Sequence, residues 1–190
     1  AGGKADWHWP FRAAQTFDLA SAITPAAVVL AVTLTLANTG TEPFPFGLGW
    51  HPFFVADAAT MVAFRAHNVW ENDATQLPLR RIDIPTVWPF ASTRPLAGLA
   101  IDNVFTGWQG RAVVSNASTG VRATLAADRA CGNLVVYAPP GADFIALEPV
   151  THETDAFNRS ALGAAQTGCR TLAPGCAFSC TMRVAASALE

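Results

Sequence analysis

The sequence is poor in charge. Only 14% of its 190 residues are charged, the formal net charge is −2, and no run of basic residues occurs. Nucleic acids and anionic membranes attract basic surfaces, so this composition argues against both as partners. No apolar run is long enough to span a bilayer, and the first residues do not have the pattern of a signal peptide. We therefore expect a cytoplasmic protein.

Cysteine is also scarce, with four residues at positions 131, 169, 176 and 180. Their spacing matches no common zinc-binding signature, and a chain of this length does not need disulfides to hold a core. Free thiols are therefore favoured, although the pairing of Cys169 with Cys176 stays open. Cys180 shares strand parity with Phe178 and Met182, which predicts that it faces a core.

Helical periodicity is missing as well: no segment keeps a period of 3.6 residues over several turns. Short alternating segments bounded by turn residues recur instead, most clearly at 28–37, and strand pairs flank the turns at 116–120 and 139–141. Three prolines within 77–90 predict a covering loop there. With 51% hydrophobic residues, the chain is predicted to be an all-β sandwich or barrel.

We expect one domain over residues 1–190, because this length suits a single core and no boundary is visible. The terminal Leu189-Glu190 is predicted to be a remnant of cloning.

The most unusual segment covers residues 42–54 and reads E-P-F-P-F-G-L-G-W-H-P-F-F. Its prolines and aromatic rings make it stiff and apolar, and Pro52 pushes His51 towards an extended backbone. Such a segment is suited to holding one imidazole in a wall of aromatic rings. The pattern fits a site histidine and a histidine buried in an aromatic mini-core about equally well.

Two polar clusters stand out from the apolar background. The first contains Asp102 after a glycine-containing turn, which alone is more typical of a structural turn. The second reads E-P-V-T-H-E-T-D-A-F-N over residues 148–158. Strand parity puts Leu147 and Glu148 on opposite faces, and Pro149 is predicted to end the strand ladder.

A histidine and a carboxylate that converge on one concave sheet face would form a general acid and general base pair. Aromatic walls with a few carboxylates also suit a sugar site, because apolar ring faces stack on aromatic side chains and hydroxyls bind charged acceptors. His152 and Glu153 are metal-ligand types, but no second ligand pair has a suitable spacing. We therefore expect no metal and no cofactor.

Three motifs, G-L-G-W-H-P-F-F, D-N-V-F and E-P-V-T-H-E-T-D-A-F-N in that order, closely resemble the aldose 1-epimerase (galactose mutarotase-like) family. The likeness runs from about Trp9 to Val184. It implies a galactose mutarotase-like β-sandwich of large twisted antiparallel sheets with a sugar site on a concave face. It also implies an isomerase that interconverts the α and β anomers of a free aldose, such as galactose or glucose, without metal or cofactor.

The resemblance also implies roles for individual residues. His51 matches the general acid that protonates the ring oxygen, and Glu148 matches the general base that takes the proton of the C1 hydroxyl. Asp102 matches the acidic residue that hydrogen-bonds sugar hydroxyls. Aromatic side chains are predicted to complete the substrate site: Trp50, Phe53 and Tyr137.

Family members normally begin with further strands that supply an arginine and a second histidine, and His8 is not a convincing replacement. The resemblance therefore implies the C-terminal part of such an enzyme, with the N-terminal strands apparently missing. A sandwich without those strands would expose sheet edges and apolar faces. We expect poor solubility or self-association unless another chain covers them, and a clean monomer in light scattering would contradict this.

Two alternative functions stay open. Part of the family acts on hexose 6-phosphates, whose phosphate needs arginines, and a non-catalytic sugar-binding domain would keep the same fold. Binding alone would not require both His51 and Glu148. The arginines that could reach a phosphate fit a solvated surface somewhat better: Arg65, Arg80, Arg81 and Arg94.

Overall fold

The chain folds almost entirely into β-strands in the computed structural model, which describes residues 7–22 and 27–189. Glu190, the last residue of the predicted cloning remnant, lies outside the described residues. A 3₁₀ turn at Ser160–Leu162 and the short helix α1 at Ala164–Thr167 interrupt the strands. The strands are, in chain order, β1 (Phe11–Ala22), β2 (Ala27–Asn38), β3 (Phe44–Phe46), β4 (Phe53–Val55), β5 (Thr60–Phe64), β6 (Asn68–Asn72), β7 (Pro78–Asp83), β8 (Arg94–Pro95), β9 (Ile101–Thr106), β10 (Arg111–Asn116), β11 (Val121–Ala127), β12 (Asn133–Ala138), β13 (Phe144–Val150), β14 (Arg170–Leu172) and β15 (Ala177–Ala188).

These strands form two large sheets and one small one. The seven-stranded sheet has the order β1-β2-β15-β11-β10-β5-β8, the six-stranded sheet has the order β4-β13-β12-β9-β6-β7, and β14 pairs with β3. All of the pairings between these strands are antiparallel. The predicted all-β class with large antiparallel sheets is confirmed.

Local sequence patterns explain the clearest strands. The alternating segment 28–37 lies within β2, which pairs along its length with β1 and β15. Both predicted strand pairs are confirmed, as the hairpins β10–β11 and β12–β13. Their turns contain Gly120 and Gly141, at φ of 66° and 76°, a backbone region that favours glycine.

The prediction of a covering loop over residues 77–90 is wrong for its first part, because Pro78–Asp83 forms β7 at the edge of the six-stranded sheet. Pro78 is the first residue of that strand, while Pro85 and Pro89 follow it. Proline is tolerated at the start of a strand and on a sheet edge, where a missing donor breaks no central ladder. The prolines therefore restrict the strand to the edge without preventing it.

The hydrophobic core lies between the two large sheets. Leu134, Ile145 and Leu147 of the six-stranded sheet are completely buried in one cluster with Val62 and Leu125 of the seven-stranded sheet. Two opposed apolar sheet faces are the arrangement of a β-sandwich. The outer face of the six-stranded sheet is therefore left to carry polar and aromatic side chains.

Cys180 is 1% exposed within this core, which confirms the prediction from its strand parity. Cys131, Cys169, Cys176 and Cys180 are all free thiols. Within the described residues, none of the helices has the length and apolarity needed to cross a membrane.

Candidate active site

Strand register gathers most of the predicted site residues on the outer face of the six-stranded sheet. Phe53, Ala146, Tyr137 and Asp102 lie side by side across β4, β13, β12 and β9. Residues paired in register share a face, and residues two apart along a strand share it too. Glu148, two residues beyond Ala146, therefore lies on the same face, one row further along the sheet.

The central contact of this face joins His51 and Glu148, with 3.1 Å between Nε2 and Oε1. The Glu148 side chain is 13% exposed and the His51 side chain is 52% exposed. The Glu148 carboxylate is thus mostly buried, while the His51 imidazole remains accessible to solvent. A histidine and a carboxylate 97 positions apart meet because one precedes β4 and the other lies in its neighbour β13.

Backbone hydrogen bonds fix the histidine segment against β13. The Trp50 amide donates to the Pro149 carbonyl at 3.2 Å, and an isolated bridge joins Gly49 to Val150. The prediction that Pro149 ends the ladder is wrong, because β13 continues to Val150 and Pro149 pairs in register with Leu134. Pro149 supplies only its carbonyl here, and this acceptor anchors the residue next to His51.

Burial is the main influence on the Glu148 carboxyl and raises its pKa above the usual range. The neighbouring His51 lowers the pKa again, and the carboxylate of Asp102 raises it further. A carboxyl group with a raised pKa ionises less readily, and its carboxylate form is a stronger base. This environment suits a group that takes up and returns a proton.

A continuous aromatic wall extends from the histidine. The rings of His51 and Phe53 are stacked with 4.5 Å between centroids, Phe53 meets Phe144 edge-on at 5.2 Å, and Phe144 lies 6.0 Å from Tyr137. Sequence reasoning missed Phe144. The available signal was its parity with Glu148 in the same strand.

Asp102 and Tyr137 also line a groove of about 530 Å³, together with Trp70, Asn72 and Trp88. The Asp102 carbonyl accepts a hydrogen bond from Asn72 Nδ2 at 2.8 Å, which links β9 to the end of β6. His51 and Glu148 do not line the groove. The two residues shared by both features make the groove an extension of the His51–Glu148 face.

Trp50 does not join this face. It is 7% exposed and belongs to the core between the sheets, so it lies apart from the other predicted site residues, and its role in substrate binding stays a prediction. In an extended segment, adjacent side chains point to opposite sides, and the side that exposes His51 turns Trp50 inwards.

A second charged cluster closes the far side of the same face. Glu153 is 5% exposed, and its two oxygens contact Arg81 Nη2 at 3.2 Å and Arg159 Nη1 at 3.4 Å. Both guanidinium groups also lie over the ring of Trp70, at 5.3 Å and 4.3 Å from its centroid. The sequence showed Glu153 only as one of several polar residues, and nothing in it indicated the role of Arg159.

His152 faces away from this cluster and lies against Gly47, where a β-carbon would come within 2.2 Å of Nδ1. Burial lowers the pKa of His152. Glu153 binds two arginines and His152 contacts glycine backbone, so neither residue is arranged as a metal ligand. No group of three potential ligand residues that could hold a metal ion is found in the described part of the chain.

The fold and this face together define a galactose mutarotase-like β-sandwich. The sequence profile of the family described as Aldose 1-epimerase matches residues 1–185. The chain therefore belongs to the aldose 1-epimerase family, a family of carbohydrate epimerases, and the resemblance of its three motifs is confirmed.

Individual relatives agree with this assignment. The uncharacterised protein YphB of Escherichia coli K12 is 28% identical over 157 residues, which cover 78% of this chain and 52% of YphB. A crystal structure from the same organism, assigned provisionally to the aldose 1-epimerases, superposes with a TM-score of 0.83 at 26% identity, covering 98% of this chain and 63% of that one. The chain thus spans about half to two thirds of the length of these relatives.

A galactose mutarotase-like protein from Clostridium acetobutylicum has the same fold, with a TM-score of 0.74 at 16% identity. It covers 98% of this chain, which spans 65% of that protein.

Proposed function

We propose that this protein is a mutarotase: an aldose 1-epimerase that interconverts the α and β anomers of a free aldose. The observation that carries the proposal is the pairing of His51 Nε2 with Glu148 Oε1 at 3.1 Å on the outer face of the sheet. A proton donor and a proton acceptor side by side meet the requirement of ring opening, in which one oxygen gains a proton while another loses one.

In the proposed reaction, Glu148 removes the proton of the C1 hydroxyl as the C1–O5 bond breaks. The protonated His51 delivers its proton to the ring oxygen, so that the open-chain aldehyde forms with a hydroxyl at C5. The pair then consists of a neutral carboxylic acid and a neutral imidazole. No net charge is created on the sugar at any completed stage, and the site needs only these two groups.

Rotation about the C1–C2 bond presents the other face of the aldehyde. Ring closure then returns the C5 hydroxyl proton to His51, while Glu148 gives its proton to the former carbonyl oxygen. The enzyme is back in its starting state with either anomer bound. The raised pKa of Glu148 supports both halves of this cycle, since the carboxyl must hold its proton between them.

The remaining residues of the face are proposed to hold the sugar. Asp102 is exposed and shares a row with Tyr137, so its carboxylate is available to accept hydrogen bonds from hydroxyls. The stacked rings of His51 and Phe53 offer an apolar wall to the C–H face of a pyranose.

A phosphorylated sugar is favoured less, because the arginines considered for it are occupied or remote. Arg80 binds Glu71, Arg81 binds Glu153, and the Arg94 guanidinium donates to the carbonyl of Val87. The fourth candidate, Arg65, follows β5 in the other large sheet.

Anomer exchange measured by NMR on galactose, glucose and glucose 6-phosphate tests the proposal directly. We expect acceleration with a free hexose and none with the His51→Ala variant. Glu148→Gln should lower turnover by about 10²–10⁴-fold, the usual contribution of a general base, with sugar binding largely kept.

Sugar binding can be followed by tryptophan fluorescence. If the protein binds sugar but does not accelerate anomer exchange, it is a sugar-binding domain and not an enzyme. If the Glu148→Gln variant still accelerates anomer exchange as the unaltered protein does, Glu148 is not the general base. Asn103→Ala is a matched control, because this neighbour of Asp102 donates its amide hydrogen bond to the Trp70 carbonyl and has no assigned part in proton transfer.

A further inference from the structure

A polar pocket of about 320 Å³ lies between the six-stranded sheet and the segment that follows β13. Its floor is a row of polar side chains that pair in register across β12, β9 and β6: Asn133, Thr106 and Asn68. Asn133 is four residues from Tyr137 along β12, so the row lies on the same outer face, about 13 Å further along the strands. The pocket is therefore separate from the groove that Tyr137 lines.

Two side chains of this floor are buried and keep unused hydrogen-bonding groups. Asn133 is 7% exposed and Thr106 is 5% exposed, and neither side chain forms a hydrogen bond with another described residue. Both line the pocket. A buried polar group without a partner lowers stability, so the pair points to a polar occupant of the pocket.

An arginine with no described ion-pair partner also lines the pocket. Arg129 follows β11, is exposed and forms no ion pair with another described residue. The carboxylate of its neighbour Asp128 is engaged elsewhere, because it accepts a hydrogen bond from the Thr181 amide at 2.8 Å and contacts Arg183. The Arg129 guanidinium is therefore available to an anion in the pocket.

The other charged residues of the wall leave a positive charge in excess. They are Arg81 and Glu153, and Glu153 also contacts Arg159, so that two guanidinium groups share one carboxylate. Arg129 adds a second positive charge. The nearby Asp83 carboxylate accepts a hydrogen bond from a floor amide at 3.2 Å and does not line the pocket. The balance of charge around the pocket thus favours a dianion.

His67 adds a further donor to the pocket wall. Its backbone amide donates to the Thr106 carbonyl at 2.9 Å, and its ring lies against Gly107, where a β-carbon would come within 2.6 Å of Nδ1. Gly107 has a φ of 65°, a backbone region that favours glycine. The imidazole is thus held next to the floor of the pocket, where a ring N–H can donate to an oxyanion.

We propose that this pocket binds a phosphate dianion, either free phosphate or the phosphate group of a phosphorylated sugar. The two positive charges match the charge of the ligand, and the Arg129 guanidinium can hold two phosphate oxygens in a fork. The Asn133 amide and the Thr106 hydroxyl donate to the remaining oxygens and so gain the partners that they lack. The site does not share a residue with the groove that Asp102 and Tyr137 line.

Titration calorimetry with inorganic phosphate, at constant ionic strength and on the longest natural form of the chain, tests the site. Arg129→Gln should weaken phosphate binding about 10-fold or more, because charge-assisted hydrogen bonds are lost. Arg122→Gln is the matched control, since it changes an exposed arginine of β11 in the other large sheet and should leave binding unchanged. Acetate has a single negative charge and should bind at least about 10-fold more weakly than phosphate.

The Asn133→Leu variant separates a ligand site from a structural pocket. It removes a buried polar group without a described partner, so its melting temperature in the absence of phosphate should equal or exceed that of the unaltered protein. Phosphate should raise the melting temperature of the unaltered protein by mass action and leave that of Asn133→Leu unchanged. A variant that is less stable without phosphate would show that the chain itself supplies the partner of Asn133, and would overturn the proposal.

Glucose 6-phosphate distinguishes the two sources of the phosphate group. Tighter binding than that of inorganic phosphate assigns the site to a phosphorylated sugar, and equal or weaker binding assigns it to free phosphate. An absence of phosphate binding would overturn the proposal, as would binding that Arg129→Gln leaves unchanged or that acetate equals. His51→Ala and Glu148→Gln should bind inorganic phosphate normally, so the outcome does not depend on the proposed catalytic activity.

Discussion

At the scale of single residues, Glu148 combines burial with a role that requires its charge. Burial raises its pKa in the folded protein, so the proton is retained above the usual carboxyl value of about 4.3. The basic form is then lost as the pH falls through this raised pKa. We expect kcat/KM for anomer exchange to decline on the acid side at a pH above that of an unperturbed glutamate. A rate that stays constant down to pH of about 4.3 would contradict this.

His152 makes an opposite contribution, to stability. Burial lowers its pKa, so the folded protein binds this proton less readily than the unfolded chain does. The stability that depends on neutral His152 is present above its ordinary pKa of about 6.5 and is lost as the pH falls towards the depressed value. The His152→Gln variant should therefore lose less of its free energy of unfolding than the unaltered protein does when the pH falls from about 7.5 to about 5. Thermal unfolding of both proteins across this pH range measures the difference.

Gly47 is required by the packing of that imidazole. A β-carbon at this position would lie 2.2 Å from Nδ1 and 2.5 Å from Cγ of His152, so the ring would have to move. We expect Gly47→Ala to lower the free energy of unfolding by about 1–3 kcal/mol, the usual cost of overpacking. Gly132→Ala is the control, because its β-carbon would meet nothing within 4 Å. Equal denaturation midpoints for the two variants would refute this explanation.

At the scale of elements, Glu153 joins the segment after β13 to the edge strand β7. Its carboxylate is 5% exposed and contacts Arg81 of β7 and Arg159. Removing one member of a buried charge cluster leaves the others unpaired. Glu153→Ala should cost about 3 kcal/mol in chemical denaturation, and Arg81→Ala less, since Arg159 would still neutralise the carboxylate. A larger loss from Arg81→Ala would contradict this order.

The sequence predicted those elements whose signal is local. Alternation in β2 and turn residues between β10 and β11 or β12 and β13 depend on neighbours in the chain, and so did the face assigned to Glu148. Which residues lie side by side in neighbouring strands depends on the register of strand pairing, and a local sequence pattern does not determine that register. Tyr137 lies beside Asp102 only because β12 pairs with β9 at that offset.

The same limit explains what the sequence left open at the candidate site. The side chains of an extended segment alternate between two sides. The stiffness of residues 42–54 does not determine that His51 faces outwards and Trp50 inwards. The contact between Glu153 and Arg81 requires the chain to return over 72 positions, so neither partner could be recognised from its own surroundings. The prolines near β7 favour a loop in the sequence, because only the folded sheet shows that this strand lies at an edge that tolerates them.

At the scale of the whole molecule, the seven-stranded sheet depends on its last described strand, β15, which lies between β2 and β11.

The position of β15 has a consequence for synthesis on the ribosome. It is inserted between β2 and β11, and the hydroxyls of Thr33 and Thr181 meet across this pairing although the residues are 148 positions apart. Until β15 emerges, the seven-stranded sheet remains in two separate pieces with two open edges. Folding of such a high-contact-order chain is slow, and its nascent forms expose edges that invite aggregation. β15 follows the other described strands in the chain and joins the two pieces of the sheet, so production of this protein should benefit from slow expression and chaperones that shield unpaired strands.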